Sequence, residues 1–576
     1  MDSIAIEDVS FTYPRGARPA LSSVSFRQQA GEFVVLMGAT GAGKSTLARL
    51  INGIIPEFVR GRMTGRVCVL GDDIKGKSVA DAAQRVGMVF QDFEAQLFST
   101  NARLEAAFGL ENLGLDRDEM RRRVPEALRL VGLEGYESRD PATLSGGEKQ
   151  RLAIASVLAM RPNVLILDEP TTDLDPQGKR DIFKVLHALR SSGATVLLVE
   201  HELAAAEMSD RLVIMSNGRV AAEGSPSDLL SRPDFMQEMC VRPSEIERLF
   251  AALNIGPTPR TIEEAASVLQ ARGMVPSPEN YQRFIAGRSD ASTSNASPIM
   301  EAESLTHTYA TGLEAVKGVN WRLAEGDFVA IVGANGSGKT TLVKHLNGLL
   351  RPTAGRVLLR GGDIAARTVA SLGRDVGYCF QNPDHQIFSN TVRDEIAFGP
   401  RNFGLSEKEI AERVADAIKT VGLDGREEAD PFALTKGERQ RVAVASVLAA
   451  RPPIIILDEP TTGLDYAEQR RMMDLVARLS AAGHTIIIIT HSMWVVAEYA
   501  RRTVVMSGGR IIADGPTREV FSKPDCLARA NLLPPRMARL TQKWGFTLFT
   551  AKEYLECLNR AEPGEAAASA AKQPHQ

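Results

Sequence analysis

The chain has 576 residues, a formal net charge of −3 with 24% charged residues, and five cysteines at positions 68, 240, 379, 526 and 557. That length allows roughly three to five domains, the near-neutral balance gives no electrostatic reason to expect a nucleic-acid partner, and an odd, scattered set of cysteines resembles neither a disulfide framework nor a metal site. The opening MDSIAIEDVSFTYP lacks the basic start and apolar run of a signal peptide, and no window approaches the ~20 apolar residues that span a bilayer. A reducing cytosol is the expected compartment, and any membrane role falls to a partner.

Residues 1–235 recur farther along the chain. Gln91 and Gln381, Leu144 and Leu434, Asp168 and Asp458, and His201 and His491 are each 290 residues apart, whereas Lys44 and Lys339 are 295 apart. The difference predicts a five-residue loop insertion in the first copy near Ile55 to Gly65. A repeat this long is a duplicated domain, since solenoid units have periods of roughly 20 to 50 residues.

In chain order, each copy opens with β-rich text, SIAIEDVSFTY and SVSFRQQAGEFVVLMG in the first. Amphipathic helical text follows between Gln91 and Leu144, and again between Gln381 and Leu434, and predicts a helical subdomain in each. The unbroken apolar runs VLILD (164–168) and TVLLVEH (195–201) match IIILD (454–458) and TIIIITH (485–491). Such runs suit buried parallel strands of an α/β fold, whose carboxyl ends face the ligand. After the first copy, SEIERLFAALN and TIEEAASVLQARG read as two helices and GRSDASTSNASP as a linker. After the second, PPRMARLTQKWGFTLFTAKEYLECL echoes the first appendage at an offset of 292. The expected domains are therefore 1–235, a helical appendage and linker at 236–297, a second domain at 298–520, a C-terminal appendage at 521–560 and a disordered tail at 561–576.

Two glycine-rich stretches carry the chemistry. Gly38, Ala39, Thr40, Gly41, Ala42, Gly43, Lys44, Ser45 and Thr46 in the first copy, and Gly333, Ala334, Asn335, Gly336, Ser337, Gly338, Lys339, Thr340 and Thr341 in the second, each follow a strand-like run and precede helical text. In a phosphate-binding loop the backbone N–H groups curl around phosphate oxygens, the lysine reaches the β and γ phosphates, and Ser45 or Thr340 holds magnesium. Asp168–Glu169 and Asp458–Glu459 end apolar strands and supply the acid pair of phosphoryl transfer, one carboxylate supporting magnesium and its neighbour polarising water. His201 and His491, each 33 residues beyond its Asp, are placed to donate to a γ-phosphate oxygen.

LSGGEKQRLAIAS (144–156) and LTKGERQRVAVAS (434–446) complete the set, and with them both copies resemble the ATP-binding-cassette superfamily over their full length. The resemblance implies a fold of two phosphate-loop ATPase domains in tandem, each α/β with a helical subdomain and a small C-terminal appendage. It implies that Gln91 and Gln381 are the Q-loop residues, contributing to catalysis and to magnesium, and that Tyr13 and Tyr309 stack on adenine. Asp173–Asp175 and Gly463–Asp465 become the D-loops. It also implies head-to-tail pairing, so that ATP on Lys44 meets the signature Thr435, Lys436, Gly437 and Glu438, and ATP on Lys339 meets Ser145, Gly146, Gly147 and Glu148. Lys436 stands where a glycine is usual, which predicts the loss of a permissive backbone position and two hydrolytic sites of unequal speed.

After Gln381 the text QNPDHQIFSNTVRDEIAFG resembles energy-coupling-factor importers of vitamins and metal ions, whereas the first copy, QDFEAQLFSTNARLEAAFG, lacks the Asn-Pro-Asp stretch but keeps Gln96, Leu97, Phe98 and Ser99. The implied function is the ATP-hydrolysing subunit of such an importer. It would work with magnesium, a transmembrane coupling subunit and a substrate-binding membrane subunit at the cytoplasmic face of the membrane, with no nucleic acid. Phe98 and Phe388 are expected either to floor a docking groove or to pack the helical subdomain. The alternatives are the tandem ATPase of a sugar-type importer and a soluble ribosome-acting ATPase, the latter disfavoured by the absence of a polybasic face between the repeats.

Overall fold

The apolar runs at the heart of each repeat become buried strands. The computed structural model describes residues 2–287 and 298–558, apart from 15 and 17. Most of the expected linker GRSDASTSNASP and the expected disordered tail 561–576 lie outside the described residues. The chain divides into two compact units: residues up to Pro243 with Ala429–Arg441 and Thr461–Asp474, and Ser244–Glu428 with Val442–Pro460 and the chain from Leu475.

In the first unit, Phe33–Gly38, Val164–Asp168, Thr195–Val199 and Val86–Val89 are buried along their whole length. They belong to a six-stranded sheet in which Arg219–Gly224 and Arg211–Ser216 lead, followed by Phe33–Gly38, Thr195–Val199, Val164–Asp168 and Val86–Val89. Every pair is parallel except the antiparallel edge Arg219–Gly224. Burial on both faces explains why these segments read as unbroken apolar runs. Successive side chains alternate between two cores: Phe33, Val35 and Met37 pack with the helical subdomain, while Val34 and Leu36 pack with a second sheet. That second sheet is four-stranded and antiparallel, ordered Leu21–Gln29, Asp2–Thr12, Arg62–Val69 and Asp72–Asp73.

The topology concentrates chemistry at one edge. Phe33–Gly38, Thr195–Val199 and Val164–Asp168 are neighbours, so the glycine-rich loop, His201 and the acid pair all leave the same carboxyl ends, the crevice where open α/β sheets bind ligands. The expected helical subdomain contains Ala102–Asn112 and Arg117–Leu130, started by Asn101 and Asp116 whose side chains accept from backbone N–H groups of the first turn. The insertion is present but is not a plain loop: it includes the short helical segment Ile54–Glu57, interrupted by extended backbone at Ile55 and followed by the exposed Phe58.

The second unit repeats this plan. Its six-stranded sheet runs Val376–Cys379, Ile454–Asp458, Thr485–Ile489, Phe328–Val332, Arg502–Ser507 and Arg510–Pro516, and its antiparallel sheet Glu314–Ala324, Pro298–Thr308, Ala354–Leu359 and Gly362–Asp363. The helical subdomain carries Val392–Asn402 and Glu407–Val421. No helix among the described residues is long and apolar enough to cross a membrane.

The first appendage from Ser244 onward and the whole second appendage belong to this unit, and they exchange partners. Glu245–Ala252 packs on Ala551–Cys557, and Ile262–Ala271 on Arg536–Gln542. Ile246, Leu249, Phe250 and Leu269 share one buried cluster with Met537, Leu540, Leu548 and Tyr554. Backbone groups are satisfied across the pair: Ala551 N–H donates to Glu245 Oε2 at 2.8 Å, and the Tyr554 hydroxyl to the Met274 carbonyl at 2.7 Å. A third helix, Pro278–Gly287, was not expected; its Asn280 amide donates to the Leu558 carbonyl at 3.0 Å. Two segments nearly 300 residues apart thus build one small domain around a single core.

Candidate nucleotide site

Each glycine-rich loop runs from strand to helix, Phe33–Gly38 to Lys44–Ile51 and Phe328–Val332 to Lys339–Leu346. The turn needs glycine on steric grounds. Gly38 has φ 136°, and a Cβ there would stand 2.0 Å from the Met215 carbonyl oxygen; Gly333, at φ 154°, would meet Met506 at 2.3 Å. Thr40 and Gly41, like Asn335 and Gly336, form the exposed tip, while Ala42, Gly43, Ser337 and Gly338 turn inward. Both lysines are buried and fold back onto the loop: Lys44 Nζ donates to the Gly38 and Ala39 carbonyls at 2.8 and 2.9 Å, and Lys339 Nζ to those of Gly333 and Ala334 at the same distances. Burial lowers the Lys44 pKa against the opposing pull of Glu169, Asp465 and Asp168.

The acid pairs stand where sequence placed them. Ser45 Oγ donates to Asp168 Oδ1 at 3.1 Å, and Thr340 Oγ1 to Asp458 Oδ1 at 3.5 Å. Burial, and then the neighbouring Glu169, push Asp168 up to about 6. Asp458 is also raised by burial, but there the Tyr378 hydroxyl opposes the shift. Glu169 and Glu459 both adopt left-handed backbone, φ 52° and 49°, a conformation that costs a non-glycine residue on the order of 1 kcal/mol or more and clusters at functional sites. Their N–H groups stay bonded to the next strand, to the Val199 and Ile489 carbonyls at 2.9 Å each, so the turn is held by the sheet. His201 Nε2 lies 3.0 Å from Glu169 Oε1, and His491 Nδ1 lies 2.8 Å from Glu459 Oε1. Burial acts to raise Glu169, and His201 followed by Lys44 outweighs it, leaving the carboxylate below its usual range.

The repeats are not equivalent here. Gln91 Nε2 donates to Glu169 Oε2 at 2.8 Å, whereas no hydrogen bond joins Gln381 to Glu459 among the described residues. Ahead of His201, the buried Glu200 accepts from the backbone N–H groups of Thr171, His201 and Glu202; Thr490 holds the matching position ahead of His491. Glu200 was not singled out by sequence, because its neighbours converge only through the turn.

Both signatures start helices, Gly146–Ala159 and Lys436–Leu448. Ser145 caps the first by accepting from Glu148 N–H while Glu148 accepts from Ser145 N–H, and Thr435 and Glu438 repeat the reciprocal pair, a capping box. The expectation that Lys436 forfeits a permissive backbone is corrected. Gly146 has no positive φ, and a Cβ there would meet only Leu174 at 4.0 Å, so any residue fits the first helical position. The demanding glycine is the next one: a Cβ on Gly437 would lie 2.6 Å from Glu468, and one on Gly147 would lie 3.3 Å from Gly178. The Lys436 side chain instead runs over the D-loop, its Nζ 2.2 Å from where a Gly463 Cβ would be. The first repeat carries Asp173 at that place. Lys436 with Gly463 thus exchanges charge with Gly146 and Asp173. In the same unit the Thr40 N–H, at the tip of the first phosphate loop, donates to Asp465 Oδ2 at 2.7 Å.

Tyr13 and Tyr309 sit behind the phosphate loops, their hydroxyls 3.1 and 3.0 Å from those of Thr46 and Thr341. Beside Tyr309 the second repeat buries two imidazoles that sequence reading passed over. His345 Nδ1 is 2.7 Å from the Thr341 carbonyl, and His345 Nε2 is 3.1 Å from His307 Nδ1. The first repeat has Phe11 and Leu50 at these positions. Burial lowers the His345 pKa, so the unfolded chain, with His near 6.5, takes up the proton first. The contribution of neutral, buried His345 to stability is complete above about 6.5 and is lost as pH falls below it toward the lowered folded value. Thermal melts from pH 8 to 5 should show the second repeat losing midpoint temperature below about 6.5, a loss absent from a His307→Phe/His345→Leu chain.

The donors beside each loop, a hydroxyl and a carboxylate, are hard oxygen ligands of the kind magnesium prefers, completed in such sites by phosphate oxygens and water. Ser45 with Asp168 and Thr340 with Asp458 would hold it.

Comparison with known proteins accords with this geometry. The family model described as ABC transporter matches residues 21–172 and 316–462. A protein of Caldanaerobacter subterraneus subsp. tengcongensis, named as an ABC transporter ATP-binding protein, is 47% identical over 562 residues, covering 97% of this chain and 99% of its own. One from Methanosarcina acetivorans is 43% identical, covering 93% and 89%. Among solved structures, cbiO1 of Clostridium perfringens, described as part of the ABC transporter complex cbiONQ, aligns with TM-score 0.38 and 38% identity over 42% of this chain and 99% of its own. The chain belongs to the ABC transporter family. It is an ATPase subunit with two ATP-binding domains in tandem.

Proposed function

We propose that this chain energises an importer of the energy-coupling-factor type, which takes up a vitamin, a vitamin precursor or a metal ion. It acts at the cytoplasmic face of the membrane through a transmembrane coupling subunit and a separate substrate-binding membrane subunit. Domains 1–235 and 298–520 are the two motors. In each, the loop lysine and backbone amides bind the ATP phosphates, the acid-pair glutamate orients and deprotonates water, and the histidine supports both. Ser45 with Asp168 and Thr340 with Asp458 would hold magnesium, which would neutralise developing charge on the phosphates. ATP on Lys44 is closed off by Thr435–Glu438, a reading supported by the Thr40–Asp465 bond. Both domains then close as ATP binds and reopen after hydrolysis.

The observation that carries the importer reading is a pair of exposed aromatic platforms. Phe98 meets Phe108 edge to face at 4.5 Å, and Phe388 meets Phe398 at 4.6 Å. Phe98 and Phe388 remain 62% and 59% exposed, which fits a docking floor and not a core role. The platforms are fixed from beneath: buried Glu105 accepts from Phe98 and Ser99 N–H, and Glu395 from Phe388 and Ser389 N–H, all within 3.1 Å. An amphipathic helix lays its apolar face into such a groove. Affinity purification from detergent-solubilised native membranes tests the reading. Two small membrane proteins should be enriched together with the chain; a sugar-importer permease pair, or ribosomal proteins in their place, would overturn it.

A further inference from the structure

Tyr378 belongs to none of the motifs above. It lies on Val376–Cys379, which pairs in parallel with Ile454–Asp458 so that Tyr378 stands beside Ile456. From there its hydroxyl donates to Asp458 Oδ2 at 2.7 Å, while Oδ1 of the same carboxylate faces the Thr340 hydroxyl at 3.5 Å. The ring is buried and set edge-on to Phe380. The residue 290 positions earlier is Met88, whose thioether has no proton to donate. Asp168 accordingly accepts from Ser45 on Oδ1 alone among side chains of the described residues.

A carboxylate held by one hydrogen bond keeps rotational freedom about its last torsion; one held on both oxygens does not. The difference matters for magnesium, which demands near-ideal octahedral geometry. We propose that Tyr378 is a positioning residue for magnesium at the ATP site of the second repeat, fixing Asp458 so that Oδ1 is turned toward Thr340, a restraint the first repeat lacks. This rests on Asp458 and Thr340 being the magnesium-supporting pair. Hydrogen-bond partners behind metal ligands typically contribute 10- to 100-fold in metal affinity. A tyrosine that merely packs, its hydroxyl satisfied by the nearest acceptor, contributes nothing specific to the metal.

The test uses the full chain with Lys44→Ala to silence the first phosphate loop and Glu459→Gln to prevent turnover. ATP binding is followed by calorimetry across a magnesium titration and in EDTA. Tyr378→Phe should raise the magnesium concentration for half-maximal binding by about 10-fold and leave binding in EDTA unchanged. Tyr378→Met, the residue of the first repeat, should do the same, and covers the case in which phenylalanine alters packing. An unchanged magnesium dependence in both, or equal weakening with and without magnesium, overturns the proposal. Asp458→Asn separates the two levels: if it too leaves the magnesium dependence unchanged, the magnesium-pair reading falls and Tyr378 with it.

Discussion

Glu169→Gln and Glu459→Gln, introduced one at a time, are expected to lower hydrolysis at the altered site by about 10²- to 10⁴-fold, the range for losing a positioned base. The substitution is close to isosteric: His201 lies 3.0 Å from Glu169 Oε1 and His491 2.8 Å from Glu459 Oε1, and glutamine places an amide group of nearly the same size there. What disappears is the charge. His201 and Lys44 hold Glu169 below the ordinary carboxylate range in spite of its burial, so it is ionised at neutral pH, and the amide that replaces it has no comparable proton affinity. The backbone at both positions is left-handed, so a β-branched residue would confound chemistry with strain, and alanine would remove the side chain's contacts along with its charge; glutamine does neither. ATP affinity, measured by calorimetry, should change by no more than a few-fold. The two variants should also differ from each other in total turnover, because the signature and D-loop of the repeats carry opposite charge, Lys436 with Gly463 against Gly146 with Asp173. Equal loss from the two variants would remove the case for unequal sites, and retained turnover in the double variant would remove both glutamates from the mechanism.

Much of the site was legible because its parts are local. A strand, a glycine turn and a helix N-terminus occur within about a dozen residues, and an acid pair at the end of an apolar run announces a carboxyl strand end. The signature was legible as chemistry and misread as backbone. Its two glycines look alike in sequence, yet only Gly437 and Gly147 face crowding, and the reason, Glu468 or Gly178 on the next helix, lies about 30 residues away. Tyr378 was invisible for the same kind of reason: its partner Asp458 is 80 residues on and reaches it only because two strands pair. The buried His307 and His345 come together across 38 residues. For the appendages, sequence showed duplication but not exchange, since an amphipathic stripe states that a face must be covered and not by what. The helix Pro278–Gly287 did leave a signal, Ser277 before Pro278, whose hydroxyl accepts from Asn280 N–H at 3.0 Å, a start pattern.

Phe98→Asp and Phe388→Asp together should detach the chain from its membrane partners while sparing its fold and its ATP binding. Both rings stand mostly in solvent at a helical-subdomain surface, and exposed substitutions away from special features typically change stability by about 0.5 kcal/mol or less. The supports beneath them are backbone N–H bonds to Glu105 and Glu395, which the substitutions leave intact. A buried aromatic anchor at an interface contributes on the order of 2 kcal/mol or more, about 30-fold in affinity, and two independent platforms multiply to roughly 10³. The platforms need not weigh equally. The second is preceded by Asn382, Pro383 and Asp384, where the first has Asp92, Phe93 and Glu94; Pro383 and Phe93 are both buried beneath the turn, so the two rims differ in shape and in charge. Each single variant should therefore reduce co-purification of the membrane subunits to a different degree, and the double variant should abolish it. Circular dichroism melts and ATP calorimetry on the isolated chain serve as controls, and undiminished recovery of the membrane subunits with the double variant would place the docking surface elsewhere.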